Sequence, residues 1–270
     1  MRVATISGAD TPYVPFGTFA SMAFWPGGLT LLAAEPGAGK TSWLLRMVYD
    51  AARNHFPAAI GCYEHTEQEL KFRLQRQSAA AVAGPHGNPE QSAIEQHLSM
   101  AGNAVLLELS SQDDTVRGIE ERLLMDFSFP QYGPALVAVD YIQRVPVIGL
   151  TGILPEDIRA GEAAAKLREL GRKHGWAIIA ATALRSDAFS TTSLGLGALL
   201  GDERLAYEAD RIVFLSRADG NVMPCGCFTL KVSTRKDRTG ALKDWTMEFW
   251  GAHFYPAIGD EIARYRSTHG

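Results

Sequence analysis

Basic excess, cysteine and long apolar runs are all scarce in this 270-residue chain. Lys and Arg number 26 against 30 Asp and Glu, a net charge of −4. No overall basic field therefore marks a nucleic-acid partner, and any such partner needs a local basic surface. The three cysteines are Cys62, Cys225 and Cys227. An odd number with one Cys-Gly-Cys pair is neither a disulfide framework nor a zinc spacing, and it reads as reduced thiols. The start, MRVATISGAD, lacks the basic residues and apolar run of a signal peptide. No stretch approaches the roughly 18 consecutive apolar residues of a membrane span. These absences point to a soluble, cytoplasmic protein with no membrane partner.

What is present is ordinary for a folded domain. Hydrophobic residues make up 46% and charged residues 21%, which excludes a wholly disordered, collagenous or coiled-coil chain. At about 150 residues per domain the length allows one or two, with a core large enough to need no disulfide or metal. Residues 1–27 hold Pro12, Pro15 and Pro26 and little periodicity. They read as an extended arm with Tyr13, Phe16, Phe19, Phe24 and Trp25 as aromatic anchors.

Apolar strands and amphipathic helices then alternate. Strands are predicted at 28–34, 58–63, 104–109, 135–139 and 177–181. Helices are predicted at 40–54, 66–82, 90–100, 114–126 and 155–174. Thr66 with Glu69 three residues on forms a capping-box pattern for the second of these. Ile158, Ala163, Leu167 and Leu170 form the expected apolar stripe of the last. A Ser/Thr/Gly-rich loop follows at 186–201, then strands at 211–216, 226–236 and 242–250. Nearly continuous apolar strands between helices indicate an α/β fold whose mostly parallel central sheet is covered on both faces, with C-terminal antiparallel strands.

Between the first strand and first helix lies Ala34-Glu35-Pro36-Gly37-Ala38-Gly39-Lys40-Thr41. This is the phosphate-loop pattern Gly-x-x-x-x-Gly-Lys-Ser/Thr with Ala34 at the first position. Gly37 and Gly39 let the backbone curl so that several N–H groups face an anion, and the following helix aims its positive end at the same point. Residues Glu35 through Ser42 are thus candidate nucleotide contacts. Lys40 supplies charge to the β and γ phosphates, and Thr41 offers a hydroxyl to magnesium.

A hundred residues later, ALVAV runs into Asp140-Tyr141-Ile142-Gln143. A carboxylate ending a buried strand is costly unless it is paired or faces a cation, so Asp140 is a second candidate magnesium residue. Glu64 ends the second strand. A carboxylate beside a γ phosphate suits the task of orienting and deprotonating water; alone, it is an ordinary solvated side chain.

Taken together, these segments resemble the RecA-like ATPase domain of the DnaB-type replicative helicases over about residues 22–255. GLTLLAAEPGAGKTSWLLRMVYDAA resembles the family's first strand, phosphate loop and helix, and that family often carries Ala at the first loop position. CYEHTEQEL resembles the strand delivering the catalytic Glu, which implies that role for Glu64. ALVAVDYIQ resembles the hydrophobic-Asp-Tyr-Leu-Gln motif, which implies magnesium binding for Asp140 and places Gln143 near the γ phosphate or the DNA-facing side. Lys236-Asp237-Arg238-Thr239-Gly240 resembles the family's Lys-x-Arg-x-Gly, whose cations enter the neighbouring subunit's nucleotide site. Lys236 and Arg238 are then catalytic in trans; the alternative is a solvated hairpin edge. The resemblance implies a RecA-like P-loop NTPase core at 28–256, an N-terminal arm at 1–27 and a C-terminal tail at 257–270. It implies ATP and Mg2+ as cofactors, a homo-oligomeric (hexameric) ring, single-stranded DNA, and replication, phage or plasmid partner proteins.

Three departures bear on function. The family's Ser-Gln-Leu-Asn-Arg becomes Thr182-Ala183-Leu184-Arg185-Ser186, so the Gln that senses the γ phosphate is Ala183, which has no side-chain donor. The loop 187–200 contains no Lys or Arg, although Arg185 and Arg204 flank it. The family's helical N-terminal domain has no counterpart in the 27 residues before the first strand. Three functions remain: a ring-forming helicase or translocase; a RecA/KaiC-like regulatory or assembly ATPase without unwinding; and a P-loop small-molecule kinase. The trans-cation motif and Asp-Tyr-Ile-Gln argue against the last.

Overall fold

In the computed structural model of the chain, the described residues are 12–15, 22–149, 152–189, 194–218, 226–257, 259 and 261–263. Phe16, Phe19 and Cys225, named above, lie outside them.

The elements in order are β1 (Leu29–Ala34), α1 (Lys40–Arg53), β2 (Ala58–Cys62), α2 (Glu67–Ala83), α3 (Gln91–Ser99) and β3 (Val105–Glu108). Next come α4 (Val116–Asp126), β4 (Ala135–Asp140), the short hairpin β5 (Ile148–Gly149) and β6 (Gly152–Ile153), α5 (Glu156–His174) and β7 (Trp176–Ala183). The chain continues through α6 (Glu203–Glu208), β8 (Arg211–Arg217), β9 (Cys227–Asp237), β10 (Asp244–Trp250) and β11 (Tyr255–Ala257). One sheet has the strand order β11-β10-β9-β8-β1-β7-β4-β2-β3. The pairs among β8, β1, β7, β4, β2 and β3 are parallel, and β8–β9, β9–β10 and β10–β11 are antiparallel.

The two-residue period of a strand explains why the central strands are apolar throughout. On β1, Leu32 and Ala34 face one core together with Trp43, Leu44 and Val48 of α1. Leu29, Leu31 and Ala33 face the other, against Ile119 and Leu123 of α4 and Ala160, Ala163 and Leu167 of α5. The same alternation runs along β4, β7 and β8. Ser42 through Ala52 of α1 are all buried because α1 is enclosed by the sheet and by the C-terminal segment. Its buried Arg46 is held by Asp50 at 2.7 Å and by Glu261 at 2.7 Å, beyond the last strand.

The capping box of α2 forms as expected, with Thr66 and Glu69 each receiving the other's backbone N–H. One core assignment needs correction. Ile158 is exposed, whereas Ala160, Ala163, Ala164, Leu167 and Leu170 are buried. Ile158 lies five residues before Ala163, about 140° around a helix at 100° per residue, and so it faces away from the sheet. Tyr13 and Phe24 of the arm are buried and bridged to each other, while Trp25 is half exposed. Among the described residues, no helix is long and apolar enough to cross a membrane.

Candidate functional site

The carboxyl ends of β1, β2, β4 and β7 meet on one side of the sheet. Connections leave there, and a cavity of about 550 Å³ opens. Pro36, Gly37, Gly39, Lys40, Thr41 and Ser42 line it from the loop after β1. Gly37 and Gly39 have φ of 75° and 94°, the left-handed backbone that the tight curl requires. A Cβ on Gly39 would also lie 2.7 Å from the Phe249 ring. Gly39 is the N-cap of α1 and offers no side-chain cap, so the first N–H groups of the helix point toward the cavity. Lys40 Nζ donates to the carbonyls of Ala34 at 3.0 Å and Glu35 at 3.1 Å, across the loop. Burial draws its ammonium below the ordinary lysine value, against the pull of Asp140, Glu64 and Glu35.

Below Lys40, the Thr41 hydroxyl donates to Asp140 Oδ2 at 2.6 Å, and the Cys62 thiol lies 3.5 Å from the same oxygen. Asp140 is fully buried, and its Oδ1 has no hydrogen-bond partner among the described residues. A buried carboxylate oxygen left in that state fits a cation. Magnesium fits this donor set: a carboxylate, a hydroxyl and the open cavity for phosphate and water. Glu64 and His65, just past β2, line the same cavity, and Glu64 is exposed to it. His65 Nε2 lies 3.2 Å from Arg73 Nη2.

The opposite wall was not foreseen from sequence. Phe228 and Phe249 stack at 5.0 Å, and the Arg217 guanidinium lies 4.4 Å over Phe228. Arg73 lies 4.5 Å over Phe254, and all of these line the cavity. They come from α2, β8, β9, β10 and the turn after β10. No local motif joins them, and the only available signal is the aromatic content of the last strands.

Other expected residues lie elsewhere. Gln143 is fully buried and is not part of the cavity lining. Its Nε2 donates to Thr182 Oγ1 at 2.7 Å and to the Leu200 carbonyl at 2.7 Å, and its Oε1 accepts from Ala183 N at 3.3 Å. Ala183 does line the cavity. Lys236 and Arg238 line a different cavity, of about 620 Å³, with Arg185, Leu196 and Tyr207. Lys236 Nζ donates to the carbonyls of Ala206 at 2.7 Å and Tyr207 at 3.2 Å. Arg238 donates to the Tyr207 carbonyl at 2.9 Å and to Asp210 at 3.1 Å. The two arginines flanking the loop are also engaged, Arg185 with Asp187 and Arg204 with Glu162.

The sequence pattern of the DnaB-like helicase C terminal domain family matches residues 19–254. The chain belongs to that family. No curated protein matches it. Among solved structures, a DnaB-like replicative helicase, described with its interactions with primase, superposes with a TM-score of 0.71 at 18% identity. That match covers 86% of this chain and 57% of the helicase, so the chain spans little more than half of the longer protein. A separately solved ATPase domain gives a TM-score of 0.70 at 17% identity, covering 86% of this chain and 85% of that one. A KaiC-like protein from the hyperthermophilic archaeon Pyrococcus horikoshii gives 0.56 at 17% identity, covering 91% and 95%. The DnaB-like C-terminal domain in this chain thus has a RecA-like ATPase fold.

Proposed function

We propose that the chain is an ATP- and Mg2+-dependent motor domain that forms a ring, hexameric as in the family pattern, and moves on or unwinds single-stranded DNA. The observation that carries this reading is the Thr41–Asp140 pair beneath Lys40, in a cavity that Glu64 also faces. Lys40 exchanges its loop carbonyls for phosphate oxygens. The N–H groups of the loop and of the first turn of α1 hold the remaining phosphate charge. Thr41 and Asp140 are the residues that would hold magnesium, which screens phosphate charge when bound. Glu64 orients the attacking water and accepts its proton. Phe228, Phe249, Phe254 and Arg217 form an apolar, cation-edged wall suited to a flat base.

Lys236 and Arg238 act on the neighbouring subunit's site. Along β9, eight residues separate Phe228, at the chain's own cavity, from Lys236, roughly 27 Å at the usual strand rise. A lysine or arginine side chain does not span that distance. Cations supplied from outside offset charge on the transferring phosphoryl group. The partners that follow are other copies of this chain, single-stranded DNA, and replication, phage or plasmid proteins.

A second reading, a RecA/KaiC-like switch or assembly ATPase without unwinding, is favoured by one specific observation. Ala183 stands at the sensor position, and the adjacent arginines Arg185 and Arg204 are spent on acidic partners. ATP turnover with and without single-stranded DNA separates the two readings.

A further inference from the structure

Three segments converge on Gln143. It follows Asp140 by three residues; its Oε1 accepts from Ala183 N, at the edge of the nucleotide cavity; and its Nε2 holds the Leu200 carbonyl. Leu200 is two residues before Asp202, whose side chain caps α6 by accepting from Leu205 N at 3.4 Å. At the other end of this six-residue helix, the carbonyls of Ala206 and Tyr207 hold Lys236 and Arg238. A series of hydrogen bonds and short backbone steps thus runs from the end of β4, through the Leu200 segment and α6, to both cations. Gln143 is the side chain that joins the β4 end to it.

We propose that Gln143 is a positioning residue for the Lys236–Arg238 pair of its own chain. It fixes the Leu200 end of α6, and α6 sets where the two cations project. On this assignment Gln143 never touches the nucleotide. Its loss impairs the site on the neighbouring subunit, whose cations it positions, and leaves the site on its own subunit able to bind and turn over. The assignment rests on the trans role of Lys236 and Arg238 given above.

Mixed oligomers provide the test. Gln143→Met keeps the volume and removes all three hydrogen bonds. Gln143→Glu keeps the acceptor for Ala183 N and removes the donor to Leu200. Each variant alone is expected to lose about tenfold in turnover, with ATP affinity within about threefold of the parent. Each is then mixed with Lys40→Ala subunits, which lack a working site but carry intact cations. Recovery of turnover is expected, matching that of an Arg238→Ala plus Lys40→Ala mixture run in parallel. A chain carrying Gln143→Met with both Lys236→Ala and Arg238→Ala is expected to be no slower than the Lys236→Ala, Arg238→Ala chain. Recovery with Arg238→Ala but not with either Gln143 variant would overturn the proposal and place Gln143 at its own site. Loss of nucleotide binding in both Gln143 variants would overturn it as well, since the residue would then serve the site or the core directly. Failure of the Arg238→Ala mixture instead removes the trans reading itself.

Discussion

At the residue scale, Asp140 sets the problem that the rest of the site solves. A fully buried carboxylate with one oxygen bonded to Thr41 and the other without a partner among the described residues is unfavourable on its own and suits a cation. Lys40 is similarly poised, drawn below its ordinary value by burial and parked on two carbonyls that phosphate can replace. Lys40→Ala removes the charge and both contacts. ATP turnover is expected to vanish, and a steady-state assay showing retained turnover would remove the phosphate-loop assignment. Glu64→Gln keeps the shape and loses the base. Nucleotide affinity is expected to persist while turnover falls about 10²–10⁴-fold, the usual worth of a general base. A near-normal rate would strip Glu64 of that role. The loop, Glu64 and Asp140 were legible in the sequence because each lies in a short local pattern at the end of an apolar strand. Phe228, Phe249, Phe254, Arg73 and Arg217 were not, because only the sheet brings these distant positions together.

At the element scale, helices α5 and α6 pack so closely that Gly161 is required between them. A Cβ there would lie 2.2 Å from Asp202 Oδ1, the atom that caps α6. Gly161→Ala gains about 1 kcal/mol of helix propensity but displaces the cap and overpacks the contact, each costing about 1–2 kcal/mol. A lower Tm is expected in calorimetry, and an unchanged or raised Tm would show that α6 shifts freely. Helix α3 carries a pH signature. Burial, with Arg53 and Arg46 adding to it, lowers His97 to about 4, and its Nδ1 sits 2.6 Å from the Tyr49 hydroxyl of α1. The unfolded chain binds that proton near the ordinary histidine value of 6.5, whereas the folded chain does not until about pH 4. Stability from this pair is therefore complete above about pH 6.5 and declines as pH falls toward 4. His97→Gln should flatten the slope of Tm against pH in that window, and an unaltered slope would exclude His97 as its source. The long elements were readable from periodicity. The hairpin β5–β6, the one-and-a-half turns of α6 and the three residues of β11 were not, being too short for a period to register.

At the scale of the whole molecule, two cavities are lined by different residues. One is lined by this chain's own phosphate loop, and the other by Lys236 and Arg238. On the proposed trans role of Lys236 and Arg238, a single chain supplies half of each working site, and assembly is a condition of catalysis. Mixing Arg238→Ala subunits with Lys40→Ala subunits should restore part of the lost turnover at interfaces that join an intact loop to intact cations. Absence of recovery would argue against catalysis in trans. The net charge of −4 divides unevenly. Residues 1–135 carry 9 − 14 = −5 and residues 136–270 carry 17 − 16 = +1, so the half bearing the loop at 186–201 and the cations is the less acidic. The proposed ring would repeat that half around one channel, where weakly basic surfaces add. The motor assignment is tested most directly by the rate of ATP hydrolysis with and without single-stranded DNA, with Lys40→Ala as the zero. Stimulation by DNA that weakens with added salt is the expected result. Turnover that is lost in Lys40→Ala but indifferent to DNA would contradict the motor and leave the switch.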